Sequence, residues 1–287
     1  MTDNKIVLLK LRWAGYSTQQ IHHLLNLYPD YLSYSFRDQV DTLRTWEKLY
    51  TKKELVDRFI KVNINEIIDH LLSHHVKFIS SFNASYSPLL KQIYDYPLIL
   101  FYKGNINLLS STNTLGVVGS RAATQYSSHA MQYLFSSFTH IPLTIVSGLA
   151  KGADSLAHHY ALKFNLPTIA VLGHGHLKHY PKETEKLRYI IEEKGLVISE
   201  YPPFVNIARY HFPQRNRLIS GLSKGVLITE AGIKSGSQIT IDCAIEQNRN
   251  VYVLPGSMFN PLTKGNLLRA QEGAMIVSEA QDILNDY

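Results

Sequence analysis

Six short runs constrain the fold more than anything else in this chain: LGVVGS (115–120), LTIVSG (143–148), TIAVLG (168–173), GLVISE (195–200), GVLITE (225–230) and NVYVLPG (250–256). Each is apolar and rich in β-branched residues, and each meets a small residue near its end. Hydrophobicity that is continuous rather than alternating belongs to strands covered on both faces. The intervening stretches of 15–30 residues have helical character and can supply the cover. The pattern predicts an α/β fold with a mostly parallel sheet and helices on both faces. At 287 residues and 45% hydrophobic content, the chain has room for one large domain and a small one.

Residues 1–80 carry a different signal, helical periodicity with almost no glycine. In YSTQQIHHLL, Ser17 and Gln20 form a capping box ahead of an apolar stripe of Ile21, Leu24 and Leu25. TKKELVDRFIKV and NINEIIDHLLSHH repeat the pattern, with Leu55, Phe59, Ile67, Leu71 and Leu72 expected to face inward. A small all-helical domain over 1–80 is expected, serving packing or interaction more readily than DNA contact, because its charge is nearly balanced. The sheet domain is expected over 81–287, with ASYSPLLKQIYDYPLILFYKGN (84–105) as a bridge between the two. No stretch is long and apolar enough to span a bilayer, and the first residues are too charged for a signal peptide. A lone cysteine, Cys243, excludes an internal disulfide and suits a reducing cytoplasm, where the protein is expected.

In an open parallel sheet, ligands bind beyond the carboxyl ends of the strands, so the residues just after each strand carry the functional signal. After the first strand stand Gly119, Ser120 and Arg121; after the second, Ser147, Gly148 and Lys151. Lys182 follows the third, and Ser235, Gly236 and Ser237 follow the fifth. Glycine- and serine-rich turns running into helices present free N–H groups and a helix dipole to an anion. With a net charge of +6, such turns favour phosphate, and a row of sites suits a strand better than one small molecule. HFPQRNRLIS adds Arg215 and Asn216, while Arg217 is equally suited to bracing loops through Glu200 or Glu230.

Signals for catalysis are weak. There is no G-x-S-x-G elbow, no P-loop and no G-x-G-x-x-G, so neither a nucleophile nor a dinucleotide cofactor is indicated. Asp154 and Glu230 are suited to acid–base work or, equally, to capping helices. His174, His176 and His179 are expected in solvent rather than on a metal, and Cys243 in the core. No catalytic residue, cofactor or metal is expected.

Taken in order, GVVGSR, IVSGLAKGAD, TIAVLGHGH with YPKE, ISEYPP, FPQRNRLISGLS, VLITEAGIKSGSQIT, VYVLPGS and GNLLRAQEGA resemble the DNA-processing protein A family, also called Smf. The resemblance covers about residues 80–287. It implies an extended Rossmann-like domain, preceded by a helical domain like the sterile-alpha-motif-like one of many members. It also implies single-stranded DNA binding without catalysis, a homodimer, protection of incoming DNA and loading of the RecA recombinase in natural transformation. Arg121 and Lys182 match the family's DNA-binding positions. Gly173–His176 stand where members usually carry threonine and leucine, and the C-terminal winged helix of some members is not expected. For assembly, Leu268 is expected to fill the core while Leu267 and Ile276 meet a two-fold partner. The rival reading is a phosphoribohydrolase-like nucleotide-processing enzyme, whose P-G-G-x-G-T signature is absent from TEAGIKSGSQIT.

Overall fold

Five helices lead the chain: α1 (Asn4–Ala14), α2 (Thr18–Leu27), α3 (Phe36–Tyr50), α4 (Val56–Lys61) and α5 (Ile64–Ser73). The structure, a computed structural model, describes residues 3–51 and 54–287; Lys52 and Lys53 of the TKKEL stretch and the first two residues of the chain lie outside them. The capping box forms as expected, with Gln20 N–H donating to Ser17 Oγ and Ser17 N–H to Gln20 Oε1. Leu8, Tyr16, Leu43, Trp46 and Phe59 fill the space between the helices, joined by Leu55, Ile67 and Leu71. Leu25 is half-buried, and Leu72 is 66% exposed. One step of about 100° beyond Leu71 carries Leu72 off the packed face, which corrects its inward assignment.

The remainder runs β1 (Lys77–Ser80), β2 (Ile99–Gly104), β3 (Thr114–Val118), α6 (Gln125–Ser137), β4 (Thr144–Ser147), α7 (Ala153–Lys163), β5 (Thr168–Leu172), α8 (Glu185–Lys194), β6 (Leu196–Ser199), α9 (His211–Gly221), β7 (Gly225–Ile228), α10 (Gly236–Glu246), β8 (Asn250–Val253), α11 (Lys264–Gln271), β9 (Met275–Ile276) and α12 (Gln281–Leu284). Among the described residues these nine strands form one sheet, ordered β1-β2-β6-β5-β4-β3-β7-β8-β9. All neighbours pair in parallel except β2, which is antiparallel to both β1 and β6. The six expected strands are β3 to β8. The stretch expected as a bridge instead supplies β2, and residues 77–80, grouped with the helices by sequence, are β1 of the sheet.

Alternate residues of each strand feed opposite layers. Leu115, Val117 and Ile145 pack with Met131, Phe135 and Phe138 below α6, whereas Val118, Val146 and Ile169 pack with Leu218, Ile219 and Ile241 of α9 and α10. Both faces are thus covered, which is why the strands read as unbroken apolar runs. At the far edge, β9 exposes Met275 (48%) and Ile276 (54%). Leu267 is half-buried and Leu268 is 36% exposed, the reverse of the expected division. No helix among the described residues is long and apolar enough to cross a membrane.

The helices dock onto the sheet through a buried polar junction at Glu200, the residue after β6. Arg12 donates to the Glu200 carbonyl (2.6 Å) and to the Tyr16 carbonyl (2.6 Å), and Thr18 Oγ1 donates to the Glu200 carboxylate. Arg217 completes it, with Nη2 at 2.8 Å from Glu200 and Nε at 3.0 Å from Asp95. A buried ion pair with satisfied oxygens is costly to break from one side, because the surviving charge stays buried. Glu200→Ala is therefore expected to cost about 3 kcal/mol in urea unfolding, and a loss within error would contradict the junction's role.

Candidate functional site

From β3 the chain steps one way across the sheet through β4, β5 and β6, then returns to the other side of β3 for β7. This reversal opens a crevice at the carboxyl end of β3, the place where doubly wound sheets bind ligands. Gly119-Ser120-Arg121 occupies that place and is stitched to its neighbours. Ser120 N–H donates to the Glu230 carbonyl (2.6 Å), Ala153 N–H to the Ser120 carbonyl (3.1 Å), and Ser237 Oγ to the Gly119 carbonyl (2.7 Å). Gly152, at φ +81°, permits the close approach of the β4 turn, because a Cβ there would strike the carbonyls of Ser120 and Arg121. Arg121 itself is exposed, its guanidinium carbon 5.9 Å from the centre of the Phe212 ring.

Arg215 reaches the crevice from α9. Its guanidinium lies against Gly148, where a Cβ would collide with it, and Nη1 donates to the Val171 carbonyl at 2.7 Å. Arg215 is buried, and Nε has no partner among the described residues. Burial pulls its pKa down while Asp154 opposes that. Burial likewise raises the Asp154 carboxyl, opposed by Arg215 and by amides that include Ala150 N–H. Two residues along the helix, Arg217 points the other way and serves the Glu200 junction, so only one of this arginine pair belongs to the crevice.

The crevice has two compartments of about 700 and 460 Å³ that share Arg121, Ala150, Tyr180, Phe212 and Arg215, forming one continuous cleft. The larger is bounded by Gly119, Asn216, Ser235, Gly236 and Ser237, the smaller by Gly148, Lys151 and Lys182. The start of α10 faces the larger, with Ser235 Oγ capping Ser237 N–H and open space beside Gly236. Five basic side chains, Arg121, Lys151, Lys182, Arg209 and Arg215, thus meet two acidic ones, Asp154 and Glu183.

Two expected contacts are corrected. Ser147 is buried and its hydroxyl donates to the Val117 carbonyl (2.6 Å), tying β4 to β3. Ser120 contributes to the turn rather than to the cleft lining: its N–H is engaged by Glu230 and its hydroxyl by Ala122 N–H. The helix after this turn is also closed to an outside anion. Glu230 accepts from Thr124 N–H, Thr124 Oγ1 and Ser127 Oγ, so the protein's own carboxylate occupies the start of α6. Sequence reasoning missed Arg209, Tyr180 and Phe212; the two rings lie 5.4 Å apart. The signal was present in ARYHFPQR, where aromatic and basic residues interleave.

The glycine-flanked histidines are not in solvent. His174 and His176 are buried, bonded to the carbonyls of Gly175 (3.0 Å) and Phe101 (3.1 Å), while His179 is half-buried. Arg188, donating to the His176 carbonyl (2.7 Å), closes this loop from α8. Cys243 is half-buried rather than core. Among the described residues no group of three or more His, Cys, Asp or Glu is placed to hold a metal ion.

Residues 77–287 match the signature of the family described as DNA recombination-mediator protein A. The DNA processing protein DprA of Streptococcus pneumoniae is 41% identical over 220 residues, 76% of this chain and 77% of that one. A crystal structure of the DNA processing protein A from Streptococcus pneumoniae superposes with a TM-score of 0.87 at 34% identity, covering 100% of this chain and 99% of the other. A second structure, of DNA processing protein A from Helicobacter pylori and described as showing its single-stranded DNA binding mode, gives 0.66 at 27% identity over 74% and 96% of the chains.

The buried histidines set the pH response. Burial pushes His174 down to about 4 and His158 to about 3, and holds His176 well below the usual range. An unfolded histidine titrates near ~6.5, so between that pH and about 4 the unfolded chain binds protons the folded one does not. Stability therefore falls as pH falls through this window, by about 1.4 kcal/mol per pH unit for each such histidine. Denaturant titrations at pH 7 and pH 5 are expected to show this loss, with His158→Asn flattening the slope by one proton. A profile flat across that range would contradict neutral burial.

Proposed function

Because the chain belongs to the DNA recombination-mediator protein A family, we propose that its cleft holds the backbone of single-stranded DNA, protects it, and passes the covered strand to the RecA recombinase in natural transformation. The single observation that carries this reading is the convergence of Arg121, Arg215, Lys151 and Lys182 on one cleft beside the Tyr180 and Phe212 rings. Guanidinium groups take phosphate oxygens in pairs, and aromatic faces stack any base, so binding is largely blind to sequence. The description of the Helicobacter relative as a single-strand binder supports it. The protection and RecA steps follow from the family resemblance. The rival hydrolase reading needs a carboxylate poised deep in the cleft, whereas Glu230 and Asp154 accept hydrogen bonds from their own loops and Glu183 is solvent-exposed. The action is binding rather than turnover, and its setting is the cytoplasm.

Two-fold assembly belongs to the same reading. Exposed Leu268, Met275 and Ile276 at the β9 edge offer a self-complementary apolar patch, with Leu268 replacing Leu267 as the contact residue. A dimer would carry two clefts on one particle, so a strand spanning both gains effective concentration.

Arg121→Glu and Lys182→Glu are each expected to weaken oligothymidylate binding and to flatten the dependence of log affinity on log salt by about 0.7 for each phosphate no longer neutralised. If both variants bind like the parent, the binding site is elsewhere. The double change Leu268→Arg and Ile276→Arg is expected to yield a folded monomer by sedimentation, with short oligonucleotides bound as before and long ones less cooperatively. A parent protein already monomeric at micromolar concentration would end the dimer proposal.

A further inference from the structure

Outside the cleft, a groove of about 550 Å³ opens between the helical region and the sheet region. Its floor is aromatic. The Trp13 ring on α1 meets Phe204 edge-on at 5.0 Å and His70 of α5 at 5.4 Å. Phe204, from the loop between β6 and α9, is left 42% exposed, although it lies where it could have been sealed between the two regions. His70 Nε2 is shielded from solvent and has no partner among the described residues, an unusual state for a ring nitrogen beside an open groove. Arg58 and Lys61 of α4 stand on the rim, against one acidic residue, Glu66.

A single loop links this groove to the cleft. Phe204 is five residues from Arg209, which lines the cleft, so their Cα atoms are at most about 17 Å apart. At about 3.4 Å per stacked base, that is roughly five nucleotides. The loop is fixed rather than loose: Gly175 N–H donates to the Val205 carbonyl (3.0 Å) and Leu177 N–H to the Pro203 carbonyl (2.9 Å).

We propose that the groove between Trp13, His70 and Phe204 is a second contact for single-stranded DNA, taking a base of the strand that leaves the cleft while Arg58 and Lys61 meet its phosphates. The proposal rests on the single-strand reading of the cleft. An aromatic face accepts any base, and the rim charge has the sign a phosphate needs. The helical region then lengthens the footprint on DNA, which gives it a binding role beyond packing.

The chain has two tryptophans, Trp13 in the groove and Trp46, buried and donating to His23, so a change in indole emission that Trp13→Phe abolishes reports the groove. Titration with a twenty-residue oligothymidylate is expected to quench that emission in step with binding, whereas a four-residue oligomer binds without quenching. Phe204→Ala should weaken the long oligomer about 5- to 150-fold, the range for losing one stacked base, Lys61→Glu should weaken it as well, and both should leave the short one unchanged. Full-strength binding of the long oligomer with unmoved emission, and with both variants behaving like the parent, would overturn the groove proposal while leaving the cleft intact. Arg121→Glu separates the two ideas: if it does not weaken the short oligomer, it is the reading of the cleft that fails.

Discussion

The chain reverses its path across the sheet at β3, and most of what this molecule can bind follows from that reversal. Parallel pairing collects the carboxyl ends of seven strands at one edge, but only where neighbouring connections diverge does the edge open. The loops that diverge there are locked by backbone contacts: Ser120 to Glu230 on one side and Ala153 to Ser120 on the other. Glycine at 152 is required because the loops come close enough for any Cβ to strike a carbonyl. A shape held by main-chain hydrogen bonds is preorganised, so a ligand need not order it on arrival.

Charge is placed on that frame with a division of labour. Arg215 and Arg217 sit two residues apart on α9, about 200° around the helix, and so face opposite surroundings. Arg217 joins Glu200 and Asp95, and through Glu200 ties α9 to Arg12 and Thr18 of the helical region. Arg215, held by the Val171 carbonyl, lines the cleft. The helical region thus helps to fix the helix that carries the cleft arginine. Glu230 has a parallel role, closing the start of α6 with its own carboxylate so that the start of α10 is the one left beside the cleft.

The six central strands were legible because burial on both faces leaves an unbroken apolar run, and the turn residues followed from them. β2 was not, because Asp95, Tyr96 and Pro97 ahead of it read as a loop and its partners come from distant segments. His176 rests on the Phe101 carbonyl of β2, so without that strand its loop looked open to solvent. Arg215 was assigned to the anion site from its place in the chain, whereas the bracing role of Arg217 was one of two readings because it depends on the Glu200 junction. Ser147 was misplaced for a similar reason; its position after a strand suggested a ligand, yet its hydroxyl meets the neighbouring strand's carbonyl. Tyr180 and Phe212 come together from separate parts of the chain, a proximity no local pattern encodes.

The central claim is that a single strand lies in the cleft at the β3 switch point, with its bases against the Tyr180 and Phe212 rings. Photocrosslinking with an oligothymidylate carrying 4-thiothymidine, followed by mass spectrometry of the linked peptides, tests this most directly. The expected result is adducts concentrated on the peptides that contain Tyr180 and Phe212, suppressed by unlabelled single strand. Adducts confined to the opposite edge of the sheet, with these peptides unmodified at saturating oligonucleotide, would contradict it.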